Sequence, residues 1–356
     1  MARVDDLLRY LKESGASDLH MSAGLAPHVR LHGRLEPVPG WSALDHNAVL
    51  ALLVEILAPR QREEYERSGD LDFAFGLDGV ARFRTNYLLQ ETGAAAVFRI
   101  IPDRIPPLAD LQMPPAVEAL CHLRSGLVLV TGPTGSGKST TLASIVDRIN
   151  ETYPKHIVTV EDPVEFLHRS KRSVVSQRQV GFDTETFAAA LRGAIRQDAE
   201  VIMVGEMRDS ETIGLAVAAA EMGSLVLGTL HTNSAAKTIE RVIDAFPPEQ
   251  QPQVRSSLAE SLQGIVSQLL LRRADGKGRV AAVEILLTAQ GLPSMIRDGK
   301  TNQLDSIFTS GKKMGMQSMD DALMALAEAK AIEPEEAYLK ARDKKRFESL
   351  VPQETG

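Results

Sequence analysis

Leu127-Val128-Leu129-Val130-Thr131 runs directly into Gly132-Pro133-Thr134-Gly135-Ser136-Gly137-Lys138-Ser139. The apolar run reads as a buried strand, and Gly132 to Ser139 match the glycine-rich loop pattern G-x-x-x-x-G-K-[ST]. The residues from Thr140 to Asn150 carry helical periodicity. Gly132, Gly135 and Gly137 permit backbone conformations and close approach that side chains would obstruct. Successive N–H groups can then cradle phosphate oxygens, reinforced by the positive end of the helix after the loop. In such a loop Lys138 reaches the β/γ-phosphates and the Ser139 hydroxyl ligates Mg²⁺. The bland alternative is a glycine-rich turn with an accidental lysine. The strand before the loop and the helix after it supply the context that the phosphate-binding reading requires.

Around this loop the 356 residues are enough for two domains with substantial cores. Hydrophobic content of 44% and charged content of 24% are ordinary for a globular chain. The formal net charge of −7 and the lack of a Lys/Arg-rich tract count against nucleic acid as a partner. Cys121 is the only cysteine, which excludes a disulfide framework and a cysteine-based zinc cluster and suits a reducing, cytoplasmic compartment. The first residues lack the apolar core of a signal peptide. The most apolar stretch, 214–230, is broken by Glu221, so membrane association is expected only through partners.

Residues 1–100 read as a small α+β domain. Val4, Leu7, Leu8 and Leu11 are at helical spacing, and short strand-like segments lie at 18–21, 28–31, 71–75, 81–87 and 95–100, with a helical stretch over 45–67. Pro102, Pro106 and Pro107 break regular structure, and 101–110 is expected to be a linker. Over 111–290, apolar strands at 127–131, 157–160, 201–205 and 225–230 alternate with helical patterns at 138–150, 184–196 and 209–222. That alternation predicts a parallel sheet covered on both faces. Residues 291–356 read as helical and charged, with a tail from Lys340 onward polar enough to be partly disordered.

Three more clusters fall where a parallel sheet presents its ligands, at the carboxyl ends of strands. Ile157-Val158-Thr159-Val160 delivers Glu161 and Asp162, and Pro163 stops the strand. The paired acids either hold a metal-bound water or orient a nucleophile, or they are chance acids at a solvated strand end. Val201-Ile202-Met203-Val204-Gly205 ends in Glu206, a Walker-B-like arrangement whose carboxylate can polarise an attacking water. Leu225-Val226-Leu227-Gly228-Thr229-Leu230 leads to His231, which could contact a γ-phosphate or be merely structural. Outside this region, alternation places Arg82 and Arg84 on one face of a strand. Two arginines there are either solvated or positioned to stabilise charge during phosphoryl transfer.

The ordered set Gly132 to Thr140, Val160 to Glu165, Val204 to Asp209 and Gly228 to Thr232 resembles the secretion-ATPase superfamily, as its Walker A, Asp box, Walker B and His box. Within it the chain is most similar to the PilT family of type IV pilus retraction motors. Gly15 to His20 and Gly315 to Asp320 match further signatures of that family. The resemblance implies an α/β architecture, with a RecA-like P-loop ATPase domain and a smaller PAS-like N-terminal domain, and a homo-hexameric ring. It places ATP on Gly132, Thr134, Gly135, Ser136, Gly137, Lys138, Ser139 and Thr140, with Mg²⁺ on Ser139. It implies Glu206 as the catalytic glutamate, Glu161 assisting, His231 near the γ-phosphate, and Arg82 and Arg84 completing the nucleotide site. Extension and type II secretion ATPases usually carry a four-cysteine zinc module and a longer N-terminal region, so this chain resembles the retraction branch.

One departure stands out. The family's Ala-Ile-Arg element falls at Gly291-Leu292-Pro293, and proline supplies neither an N–H nor a guanidinium. That is compatible with a paralogue of altered role in pilus dynamics.

The implied mechanism is Mg²⁺-dependent ATP hydrolysis converted into rotation of the N-terminal domain about the linker, a hinge mode of switching. The implied partners are an inner-membrane pilus platform protein and related pilus ATPases. A RecA-like nucleic-acid translocase and a non-hydrolysing nucleotide sensor are the rival readings.

Overall fold

The computed structural model describes residues 3–31, 33–102 and 104–350. The chain divides into two compact units. One comprises the residues through Arg104 together with Asp162–Leu167; the other comprises Ile105–Glu161 and the chain from His168 onward. The division falls inside the 101–110 segment, of which Asp103 lies outside the described residues. The six-residue excursion at 162–167 has no signal in composition.

The N-terminal unit contains, in order, α1 (Arg3–Glu13), β1 (Asp18–Ser22), β2 (His28–Leu31), β3 (Arg34–Pro37), α2 (His46–Val54), α3 (Pro59–Ser68), β4 (Asp70–Leu77), β5 (Ala81–Gln90) and β6 (Gly93–Ile101). Its strands form one antiparallel sheet in the order β3-β2-β1-β6-β5-β4. The stretch expected as one helix over 45–67 is two helices. Asp45 caps α2 by accepting from the Ala48 N–H at 2.8 Å, and Pro59 opens α3 at its first turn, where no intrahelical N–H is needed. Strand β5 alternates as its sequence predicts: Ala81, Phe83, Thr85 and Tyr87 are buried, while Arg82 and Arg84 point to the opposite face. Tyr87 anchors the core, packing edge-to-face on Phe73, Tyr65 and Phe98 with ring centroids 5.2–5.9 Å apart. Its hydroxyl donates to the Leu53 carbonyl at 3.0 Å.

The second unit continues with α4 (Pro115–Leu120), β7 (Gly126–Thr131), α5 (Lys138–Thr152), β8 (His156–Glu161), β9 (Val174–Gln179), α6 (Phe187–Arg196), β10 (Val201–Val204), α7 (Ser210–Glu221), β11 (Leu225–Leu230), α8 (Ala235–Asp244) and α9 (Gln251–Ser261). Then come β12 (Leu262–Arg272), β13 (Arg279–Leu287), α10 (Leu292–Arg297), α11 (Leu304–Gly311), α12 (Met319–Glu328) and α13 (Pro334–Lys340). The sheet order is β13-β12-β7-β11-β10-β8-β9. Strands β7, β10 and β11 are buried along their whole length, as expected of central strands covered on both faces.

The sheet is larger than the sequence suggests, and it is mixed. Strand β9 is a polar edge strand, so it lacks the apolar run that betrays a central one. Strand β12 pairs in parallel with β7, yet begins directly after α9 without a loop, and β13 closes the edge antiparallel to β12.

The expected polar tail also differs. Phe347 is fully buried, in a small core with Leu271, Leu323 and Ala337. The carboxylate of Asp320 accepts from the backbone N–H groups of Arg342 and Asp343, each at 2.8 Å. One buried acid and one aromatic thus dock a segment whose composition reads as solvated; residues 351–356 of that tail lie outside the described residues.

Phe347→Ala is expected to destabilise this unit by about 3–5 kcal/mol, the usual range for deleting a buried aromatic side chain. Urea unfolding of the variant reads it directly; an unchanged midpoint would show the segment undocked.

Candidate nucleotide-binding and hydrolysis site

The site is assembled from four adjacent strand ends. In the order β8-β10-β11-β7, the parallel strands deliver Glu161, Glu206, His231 and the loop starting at Gly132 to the same edge of the sheet. Two of these turns lead straight into capped helices. Asp209, three residues after Glu206, accepts from the Thr212 N–H at 2.8 Å to cap α7. Ser234, three residues after His231, accepts from the Lys237 N–H at 3.3 Å to cap α8. Those two boxes are therefore short strand-to-helix turns with no slack.

The glycine loop fits tightly against β12. A Cβ at Gly132, whose φ is 147°, would lie 2.3 Å from the Gln268 carbonyl oxygen, and one at Gly137, φ 89°, would lie 2.9 Å from Gln268 Nε2. Gln268 is buried, donates from Nε2 to the Ser136 carbonyl at 2.6 Å and accepts from the Thr141 hydroxyl at 3.0 Å. One amide therefore braces both the loop and the first turn of α5. The Lys138 ammonium donates to the carbonyls of Gly132 and Pro133 at 2.8 and 3.0 Å. It is held over the loop where a phosphate would bind. Thr134, Gly135 and Ser139 are exposed or half-buried, as is Thr140, and Ser136 is buried within the loop.

A buried chain of hydroxyls links the base of this loop to the histidine segment. Thr131 and Ser267 are 2.8 Å apart, the Thr238 hydroxyl donates to Thr131 Oγ1 at 3.4 Å, and Thr232 lies 2.7 Å from Thr238. Nearby, Glu284 from β13 accepts from the Ala235 N–H at the start of α8 at 2.6 Å. Burial raises the pKa of Glu284, opposed by that bond and a second from the Met319 N–H.

Glu206 is the most electrostatically shaped group. Arg208 approaches both of its oxygens, at 2.6 and 2.7 Å, and His231 Nε2 lies 3.1 Å from Oε1. Burial alone would raise the pKa of this carboxylate; the Arg208 hydrogen bond and charge, with His231 behind them, outweigh it and hold the pKa below the usual value. The acid is consequently ionised at neutral pH. Glu161 is almost fully buried and accepts from the Thr159 hydroxyl at 2.7 Å and from Gln177 Nε2 at 3.1 Å.

Arg82 and Arg84 belong to the N-terminal unit. Arg82 donates to the carbonyls of Glu165 and Val164, both at 3.1 Å. Arg84 pairs with Asp72 at 3.0 Å and with Glu165 at 3.8 Å. Both arginines thus grip the excursion that begins one residue after Glu161.

Sequence reasoning did not single out Arg208, Gln268 or Gln177. Arg208 could have been found from its position two residues after Glu206. The two glutamines lie on strands that periodicity did not reveal. Pro293 lies in the first turn of α10, where a missing N–H is tolerated, so the fold absorbs this departure.

Among the described residues no group of three or more His, Cys, Asp or Glu side chains could hold a metal ion by itself. No helix among the described residues is long and apolar enough to cross a membrane.

A glycine loop at the carboxyl end of a central parallel strand, with its lysine folded back on it and an ionised glutamate after the next strand but one, defines a P-loop ATPase. The chain belongs to the Type II/IV secretion system protein family, whose profile matches residues 12–344, and it hydrolyses ATP as a PilT-like secretion ATPase. It is 47% identical over 344 residues to a Pseudomonas aeruginosa protein described as "Type IV pilus retractation ATPase PilT", covering 97% of this chain and 99% of that one. A Neisseria gonorrhoeae "Twitching motility protein" is 46% identical over 89% of this chain and 84% of its own. The crystal structure of the pilus retraction motor PilT with bound ADP superposes with a TM-score of 0.88 at 44% identity, covering 96% of this chain and 98% of that chain.

The lowered pKa of Glu206 gives a pH prediction. Activity that needs the ionised carboxylate persists above that lowered pKa and fades as pH falls through it. Arg208→Ala removes the main stabiliser of the charge, so the acid limb of the kcat–pH profile should move to higher pH. An acid limb unmoved in the variant would separate Arg208 from this role.

Proposed function

We propose that this chain is the cytoplasmic ATPase that retracts type IV pili, thereby driving twitching motility. Near-full-length identity of 47% to a protein named for that activity carries the reading. The protein would act as a homo-hexamer at the inner-membrane base of the pilus machine, against a membrane platform protein and alongside related pilus ATPases. Hydrolysis would drive rotation of the N-terminal unit.

In the proposed chemistry, backbone N–H groups from Gly132 to Ser139 and the Lys138 ammonium hold the phosphates, while Ser139 and Thr140 open α5 beneath them. Mg²⁺ would be held by Ser139 and supply charge neutralisation on the β- and γ-oxygens. Glu206 orients and polarises the attacking water, kept ionised by Arg208. His231, 3.1 Å from Glu206, would register the γ-phosphate. Glu161 provides the second carboxylate. The family resemblance assigns Arg82 and Arg84 to charge stabilisation on the phosphates, a role that guanidinium groups would fill.

A second reading, an accessory paralogue in pilus dynamics, is favoured by Pro293 where the family has Ala-Ile-Arg. A strain lacking this chain separates the two readings. Excess surface pili with lost twitching are expected for the retraction motor; retained twitching would assign the accessory role, and absent pili would point to extension.

At the level of chemistry, Glu206→Gln should bind ATP normally and hydrolyse it about a hundredfold more slowly or worse, the usual size of a general-base contribution. Steady-state ATPase rates with a nucleotide-binding titration check this. Near-wild-type turnover would remove Glu206 from the role.

A further inference from the structure

Gln177 stands on β9 directly opposite Thr159 of β8, so the two side chains share a face of the sheet with Glu161. Two contacts of its amide fix its orientation. Nε2 donates to Glu161 Oε1 at 3.1 Å, and Oε1 accepts from the backbone N–H of His168 at 2.7 Å. A backbone N–H can only donate, so the amide oxygen must face His168 and the amide nitrogen is left facing Glu161. The Thr159 hydroxyl donates to Glu161 Oε1 as well, at 2.7 Å, and the carboxylate is thus held from two sides.

The position of these partners in the chain matters. Glu161 is the last residue before the excursion at 162–167, and His168 is the first residue after it. One side-chain amide therefore pins the departure and the return of that excursion. The imidazole of His168 is buried, and neither ring nitrogen has a hydrogen-bond partner among the described residues. The backbone bond to Gln177 is thus a polar anchor at the return point. On the neighbouring strand end, a Cβ at Gly205 would lie 3.2 Å from the Val160 carbonyl oxygen and 3.3 Å from Glu161 Cα, so the backbone of Glu161 is confined as well.

We propose that Gln177 is a positioning residue for ATP hydrolysis, holding the Glu161 carboxylate in its working orientation beside Glu206. The inference rests on the reading of Glu161 as a site carboxylate. It assigns to β9, a strand that contributes none of the four boxes, a part in the chemical step. Misorientation of a reacting carboxylate lowers turnover without loosening the phosphate cradle, which is built from other residues.

The test is a mutant cycle on the purified full chain, read by ATPase kinetics. Gln177→Leu removes both bonds. Gln177→Glu keeps an acceptor for the His168 N–H but replaces the donor to Glu161 with a like charge. Both variants should lower kcat about tenfold with KM within about twofold of wild type. In a Glu161→Gln background, Gln177→Leu should add no further loss, because its effect acts through Glu161. Wild-type kcat in Gln177→Glu would overturn the proposal and leave Gln177 a loop pin. An equal loss from Gln177→Leu with and without Glu161 would also overturn it. Should Gln177→Leu fail to fold, Gln177→Glu, alone and in the Glu161→Gln background, carries the same comparison. Wild-type kcat in Glu161→Gln alone would instead remove the underlying reading of Glu161, a result visible without any change at Gln177.

Discussion

The seating of the glycine loop against β12 is the contact on which the site depends. Gln268 presents its backbone carbonyl to Gly132 and its side-chain amide to Gly137 and Ser136, at distances that leave no room for a Cβ on either glycine. Phosphate recognition by backbone N–H groups needs those groups to converge before the ligand arrives, because ordering them on binding would cost entropy. The loop cannot supply that order alone, since glycine is the residue with the most freedom to lose. A buried amide from a neighbouring strand imposes it. The same β12 bears Ser267, which joins Thr131, Thr238 and Thr232 in the buried hydroxyl chain. One strand thereby supports both the phosphate cradle and the segment after His231.

Charge is arranged on the neighbouring strand ends with a different logic. Glu206 is kept ionised by an exposed arginine and a half-exposed histidine, so its pairing is adjustable by solvent and ligand rather than locked. Glu161 is buried, and the neutral side chains of Thr159 and Gln177 are among the donors to its carboxylate. The N-terminal unit contributes its own fixed point: Arg82 binds the backbone of the excursion that begins just after Glu161, and Arg84 bridges Asp72 to Glu165.

The four boxes were legible because each couples an apolar run to a polar turn within a few residues. A central parallel strand is buried on both faces, so its sequence does not alternate, and the first ionisable residue after its apolar run lies at or beyond the strand end. Glu161, Glu206, His231 and the loop bearing Lys138 all obey this rule. The alternation of β5, which sets Arg82 and Arg84 apart from Phe83 and Tyr87, was legible for the complementary reason: one face of an antiparallel sheet meets the core and the other does not. Strand β9 was not legible, since an edge strand needs no apolar run. The docking of residues 341–350 was hidden too, because it rests on Asp320 capping backbone N–H groups more than twenty residues away and on a single aromatic, Phe347.

The sequence by itself determined the chemistry available at each strand end: a phosphate loop, two acids, a histidine, and a pair of arginines on one strand face. These come from local rules of burial, alternation and glycine conformation, which act over a few neighbouring residues. Only the tertiary structure decided which neutral side chains hold that chemistry in place. Gln268 and Gln177 are ordinary polar residues in sequence, 127 positions from Thr141 and 16 from Glu161. Their roles exist only because strand pairing brings them to those partners, and hydrogen bonding is specific in space while leaving no periodic trace along the chain.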